Sequence, residues 1–218
     1  SSAWVTGEFQ ASRDAPESLP LWPADYVLRI TYRLGAGVLR VEAEVENPDR
    51  RTLPFGLGYH PYFRLPFTPG ADADHCLIQA QAREMWVLAE SLPTGERRPV
   101  DPPRDLTAPR RFADLRLDDL LTGAPTDPDG PDDLCDRGML RCGGATLRVQ
   151  AAPAFREVVV FTPPHRQAFC IEPYTCATDA INLQQRGVDA GLLTLPPGGR
   201  WSAAFEMRLG AEPQRAVP

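Results

Sequence analysis

The most constraining feature of this chain is an alternation of apolar and polar residues with a period of two, repeated in three segments. From Tyr26 to Leu34, the residues Tyr26, Leu28, Ile30, Tyr32 and Leu34 fall on one face, and Val27, Arg29, Thr31 and Arg33 on the other. After Gly35-Ala36-Gly37, Leu39, Val41, Ala43 and Val45 alternate with Arg40, Glu42, Glu44 and Glu46 until Asn47-Pro48-Asp49 ends the run. Near the end, Trp201, Ala203, Phe205, Met207 and Leu209 repeat the pattern. A helix cannot gather such residues on one side, whereas a half-buried strand does so automatically. The first two segments therefore read as a hairpin.

Shorter runs at Cys76 to Gln81, Met85 to Leu88, Thr146 to Gln150, Phe155 to Phe161 and Ala168 to Ile171 add strands, and no amphipathic helix is evident. The expectation is an all-β fold, a large antiparallel β-sandwich with long loops and little helix. With 218 residues, 43% of them hydrophobic, one domain spanning 1–218 is expected, its tail 211–218 frayed. The stretches Pro93 to Arg111 and Gly123 to Pro131, dense in Pro and charge, read as surface loops.

Composition narrows the partners. A formal charge of −6 excludes nucleic acid and anionic lipid as principal ligands, since both demand a basic face. No apolar run reaches the roughly 18 residues a membrane-spanning helix needs. All 23 basic residues are Arg, which excludes Schiff-base chemistry and a phosphate-loop lysine. Five cysteines (Cys76, Cys135, Cys142, Cys170, Cys176) without C-x-x-C spacing suggest neither zinc nor a disulfide scaffold, and read as reduced thiols in a cytoplasmic protein.

Two residues stand out chemically. His60 lies in Phe55-Gly56-Leu57-Gly58-Tyr59-His60-Pro61-Tyr62-Phe63, where glycines admit a ligand, aromatic faces stack on sugar C–H groups, and imidazole passes protons near neutral pH. A hydrogen-bonded core histidine fits that stretch equally well. Glu172, in Phe169-Cys170-Ile171-Glu172-Pro173-Tyr174, ends an apolar strand. It is either a carboxylate with raised pKa in a pocket or a strand-end residue facing solvent. In Asp118-Asp119, adjacent carboxylates face opposite sides of a strand, so at most one enters a given pocket. Asp127 to Asp133 lacks calcium-loop spacing and reads as a solvated acidic turn.

Taken in order, Trp22-Pro23, Tyr26 to Leu34, Val45-Glu46-Asn47, Gly56 to Phe63, Cys170 to Thr175, Thr178 to Asn182 and Leu195 to Gly199 resemble the aldose 1-epimerases, the galactose mutarotase family. The resemblance implies a sandwich with an open sugar cleft and interconversion of the α and β anomers of a free hexose without metal or other cofactor. By position, His60 matches the general acid and Glu172 the general base. Asp118 and Gln167 resemble sugar-binding residues, Tyr62 and Phe63 flank the ring site, and His165 is a poorer match to the cleft. The acid and base are expected to lie across one cleft, about a sugar ring apart.

Family members carry an upstream region of several strands that supplies an Arg and a His of a His-Gly motif to the sugar site. Neither is found here, and the chain is expected to start partway through the fold. That implies a part lost by proteolysis, a separate polypeptide or a naturally shortened form, with a homodimer or a retained N-terminal fragment covering the exposed edge. Two other functions fit the same residues: a hexose-6-phosphate 1-epimerase using Arg64 and Arg166, and a non-catalytic carbohydrate-binding or regulatory module.

Overall fold

The three alternating segments end up side by side. The structure, a computed structural model, describes residues 2–127 and 133–211. In it β1 (Ser2–Gln10), β2 (Val27–Gly35) and β3 (Val38–Glu46) form an antiparallel meander. The β2–β3 turn places Ala36 and Gly37 at φ 49° and 75°, the positive values that a tight hairpin requires. The register sets Tyr32 opposite Val41 and Ile30 opposite Ala43. The last strand, numbered β16 (Arg200–Ala211), joins the far edge of β3 with Phe205 beside Val41.

Between them in sequence lie β4 (Leu53–Phe55), β5 (Tyr62–Arg64), β6 (Leu77–Ala80), β7 (Glu84–Ala89), β8 (Leu92–Pro99) and β9 (Arg110–Arg111). These are followed by β10 (Asp118–Thr122), β11 (Cys135–Cys142), β12 (Ala145–Ala151), β13 (Glu157–Phe161), β14 (Ala168–Tyr174) and β15 (Leu193–Leu195). One sheet runs β1-β2-β3-β16-β12-β11-β6-β9, a second β5-β14-β13-β10-β7-β8, and β4 pairs with β15. Ile78, Leu140 and Val149 of the first sheet meet Met85, Leu121, Val158, Val160, Phe169 and Ile171 of the second in one core. The result is an antiparallel β-sandwich, as the alternation predicts. At Gly138 an added Cβ would lie 2.6 Å from the Gln79 carbonyl of the adjacent strand and 2.9 Å from Ile171 Cδ1 of the facing sheet.

Helix is confined to short pieces, α1 (Ala11–Asp14), α2 (Ala180–Gln185) and a few 3₁₀ turns. Among the described residues no helix is long and apolar enough to cross a membrane. Through Ala180 and Leu183, α2 packs on Trp86 and Leu120, covering part of the outer face of the six-stranded sheet.

Two expectations change. Pro93 to Arg111 is not all loop, because β8 occupies its first part as the edge of the six-stranded sheet. Edge strands tolerate proline, having one side with no ladder bond to donate, and this is why a Pro-rich run can still be a strand. Two of the thiols are not free: Cys76 and Cys142 form a disulfide, while Cys135, Cys170 and Cys176 are unpaired. The β6–β11 register, with Leu77 opposite Arg141, brings the two cysteines together across neighbouring strands, a pairing that spacing along the chain cannot reveal. The expected solvated acidic turn at Asp127 to Asp133 falls largely outside the described residues, as does the tail beyond Ala211.

Candidate active site

Strand parity decides which side chains can meet. On β14, Phe169 and Ile171 enter the core, so Cys170, Glu172 and Tyr174 project from the opposite face. On β13, Val158 and Val160 enter the core, and Val159 and Phe161 share the outer face, opposite Glu172 and Cys170 respectively. β10 sets Asp118 opposite Phe161, and β5 sets Tyr62 opposite Cys170. Together with His60, Leu88, Ser91 and Thr178, these strands line an open cleft of about 420 Å³ that contains Glu172.

His60 reaches the cleft on the segment between β4 and β5, which lies over the end of β14. Gly58 bridges to Tyr174, and Tyr59 N–H donates to the Pro173 carbonyl at 3.2 Å. A Cβ on Gly58 would come within 2.6 Å of the Tyr174 ring, and one on Gly56 would collide with the Cys176 sulfur. These glycines therefore let the segment pack on the strand that carries the glutamate. That is a different reason for glycine from the ligand approach the sequence suggests.

His60 Nδ1 stands 3.1 Å from Glu172 Oε1. The imidazole is stacked on Tyr62 (centroids 4.9 Å apart, planes 13° apart) and meets the edge of Phe161 at 6.1 Å. About half of its side chain is exposed, whereas that of Glu172 is 1% exposed. Tyr174 donates its hydroxyl to Glu172 Oε2 at 3.0 Å. Oε1 has no aligned hydrogen-bond donor, so His60 is its ionic neighbour and a lone pair remains available. Burial pushes the Glu172 carboxyl up from 4.5 to about 7, the Tyr174 hydrogen bond pulls it down, and the charge of Asp118 raises it. The Tyr174 phenol is itself pushed well up, by burial first and then by Glu172. Such a carboxyl exchanges protons near neutral pH.

The acid and base candidates are thus adjacent rather than a ring apart. Tyr62 lines the cleft as expected, and Asp118 sits at its exposed rim. Asp119 is buried and gripped by Arg104 at 2.6 Å, yet it too borders the cleft, so both neighbouring carboxylates reach it where strand parity predicts at most one. Phe63 is not at the cleft: its side chain lies in the sandwich core, 7% exposed, because it neighbours Tyr62 and so points the other way. Gln167 also lies outside the lining, in the turn before β14, where its carbonyl accepts from Leu65 and its N–H donates to His165 Nδ1. Arg166 donates to the carbonyls of Leu115 (2.6 Å) and Phe112 (2.7 Å), and Arg64 is outside the lining; among the described residues no Arg lines this cleft.

Sequence reasoning missed Tyr174, although period two puts it on the same face as Glu172. It also missed Phe161, Leu88, Ser91 and Thr178, which only strand register and loop packing bring in. One further neighbour is Cys170: ligand atoms of His60, Cys170 and Glu172 all lie within 4.8 Å of one another.

Comparison with known proteins bears on the family and the fold. The aldose 1-epimerase family matches residues 5–208. The uncharacterized Escherichia coli protein YphB is 36% identical over 99 residues, 43% of this chain and 31% of that protein. A galactose mutarotase-like protein from Clostridium acetobutylicum superposes with a TM-score of 0.81 at 20% identity, over 96% of this chain and 63% of its own. The galactose 1-epimerase of Lactobacillus acidophilus gives a TM-score of 0.70 at 16% identity, over 97% of this chain and 64% of its own. The chain therefore spans less than two thirds of the length of these structures.

Proposed function

Because the chain belongs to the aldose 1-epimerase family, we propose that it interconverts the α and β anomers of a free hexose by acid/base ring opening. Glu172 accepts the proton of the anomeric O1 hydroxyl while protonated His60 delivers one to the ring oxygen through Nε2, the nitrogen not turned to Glu172. The bond from C1 to the ring oxygen breaks and leaves an open aldehyde. Rotation about C1–C2 and reversal of both transfers closes either anomer, and no proton is gained or lost over the cycle.

The observation that carries this reading is the contact between buried Glu172 and half-exposed His60 at 3.1 Å on the cleft wall. Both reacting oxygens are bonded to C1, so groups serving them belong side by side. Tyr62 and Phe161 offer ring faces and edges to sugar C–H groups. The absence of Arg from the described lining favours an unphosphorylated sugar over a hexose 6-phosphate.

The test is polarimetry or NMR exchange on freshly dissolved α-hexose. Glu172→Gln and His60→Asn are each expected to slow anomerisation by about 10²–10⁴-fold. Unchanged rates in both variants would remove the pair from the mechanism. Hexose binding by calorimetry without anomerisation in the unmodified protein would make it a binding module instead.

A further inference from the structure

We propose that His60, Cys170 and Glu172 form a zinc-binding site that competes with the sugar, so that a divalent zinc ion inhibits the cleft. The site itself is independent of the reaction; its inhibitory effect rests on the epimerase reading above.

Three observations converge on it. First, the donor set is an imidazole nitrogen, a thiol sulfur and a carboxylate oxygen, the types that Zn²⁺ selects, and all three atoms lie within 4.8 Å of one another. Tetrahedral zinc with bonds of about 2.0–2.3 Å holds its ligands roughly 3.3–3.7 Å apart, so the trio closes with a shift of about 1 Å. Second, the buried Oε1 of Glu172 faces His60 without an aligned hydrogen-bond donor. Its other oxygen is taken by Tyr174, which fixes the carboxylate in the manner of an outer-shell partner. Third, Cys170 is a buried free thiol on the cleft face of β14, two residues from Glu172, and proton transfer to the sugar gives it no task.

The elements suit capture. Cys170 and Glu172 are fixed by the sheet, on the same face of one strand. His60 is half exposed on a connecting segment and is the ligand able to move. Three protein ligands leave a fourth position, where water or a sugar hydroxyl would complete the shell. The ion displaces the thiol proton to solvent and forms a zinc–thiolate bond, with no change of oxidation state. Occupied this way, neither His60 nor Glu172 is free to exchange protons with substrate.

The experiment titrates the whole chain with Zn²⁺ against a chromophoric chelator, and with Co²⁺ followed by absorption. The unmodified protein is expected to take up one Zn²⁺ at this site and, with Co²⁺, to show a thiolate-to-cobalt band in the near ultraviolet. Cys170→Ser should abolish the band and weaken zinc binding about tenfold or more. His60→Asn, a change at a half-exposed residue, should weaken it similarly, which keeps the test valid if Cys170→Ser fails to fold. Anomerisation should fall with Zn²⁺ competitively with sugar, recover on chelation, and become about tenfold less zinc-sensitive in Cys170→Ser. No uptake by the unmodified protein, or uptake and a band untouched by both substitutions, overturns the proposal. Normal zinc uptake in a chain that never anomerises sugar would overturn the epimerase reading and leave the metal site standing.

Discussion

Two buried glutamates on neighbouring strands make an instructive pair. Glu157 on β13 and Glu172 on β14 both project from the outer face of the six-stranded sheet, Glu157 opposite Tyr174 and Glu172 opposite Val159. They are 0% and 1% exposed, and burial pushes both carboxyls upward. At Glu157 the face is closed: Trp86 donates its indole N–H at 2.9 Å, and Arg156 lies 3.3 Å from the other oxygen. The cation there is permanent, and Trp86 belongs to a buried cluster that α2 covers through Ala180 and Leu183. At Glu172 the neighbour is a histidine, whose charge can change, and the face opens into the cleft. Burial alone therefore does not mark a catalytic carboxylate. Its partner and its access do.

The largest expected difference is in rate. Glu172→Gln should slow anomerisation by the 10²–10⁴-fold stated above, whereas Glu157→Leu should leave the rate per folded molecule within about twofold. A comparable loss in Glu157→Leu, measured after correcting for the folded fraction by circular dichroism, would break the contrast.

Next comes the pH dependence of stability. The folded Glu172 carboxyl lies near 7 against an ordinary 4.5. The folded state binds this proton more tightly, so its stabilising contribution is whole below about pH 4.5 and is lost as pH rises through about 7. The loss amounts to roughly 3 kcal/mol at most. Glu172→Gln should flatten that slope in denaturant titrations between pH 5 and 8 and be more stable than the unmodified chain at pH 8. An unchanged slope would contradict the buried, raised carboxyl.

Glu157→Leu should then lower stability by about 2 kcal/mol in thermal or urea melts, since the buried Trp86 N–H loses its acceptor, while Arg156 keeps Asp189 as its counter-charge. A neutral result would mean that the closed end of the face tolerates an apolar residue. The smallest effect belongs to Tyr174→Phe. Removing the hydroxyl that pulls the Glu172 carboxyl down should shift the acidic limb of the pH–rate profile upward, with a rate loss of only a few-fold near its optimum. A downward shift would show that Tyr174 does not donate to Glu172.

Much of the sandwich is legible in the sequence. Alternation at Tyr26–Leu34, Leu39–Val45 and Trp201–Leu209 is a property of consecutive residues, and it fixes which face of each strand is apolar. The order of the Gly56–Phe63 and Cys170–Thr175 motifs carried the family, and with it His60 and Glu172 as a pair. Other features depended on partners distant in sequence. Tyr62 and Phe63 are adjacent, so one had to face the cleft and the other the core, but only the pairing of β5 with β14 says which. The same holds for the Cys76–Cys142 bond across β6 and β11, and for β8, whose prolines are acceptable because nothing pairs beyond it.

The sequence by itself determined the strand character and the two-sided faces, because these follow from local spacing, and its ordered motifs carried the family resemblance that implies His60 and Glu172 as acid and base candidates. Tertiary structure alone decided that His60 and Glu172 stand side by side, that Tyr174 and Phe161 join them, and that Glu172 rather than Glu157 borders this cleft. Those outcomes are set by strand register and by what covers the sheet, and both arise from contacts between residues far apart along the chain.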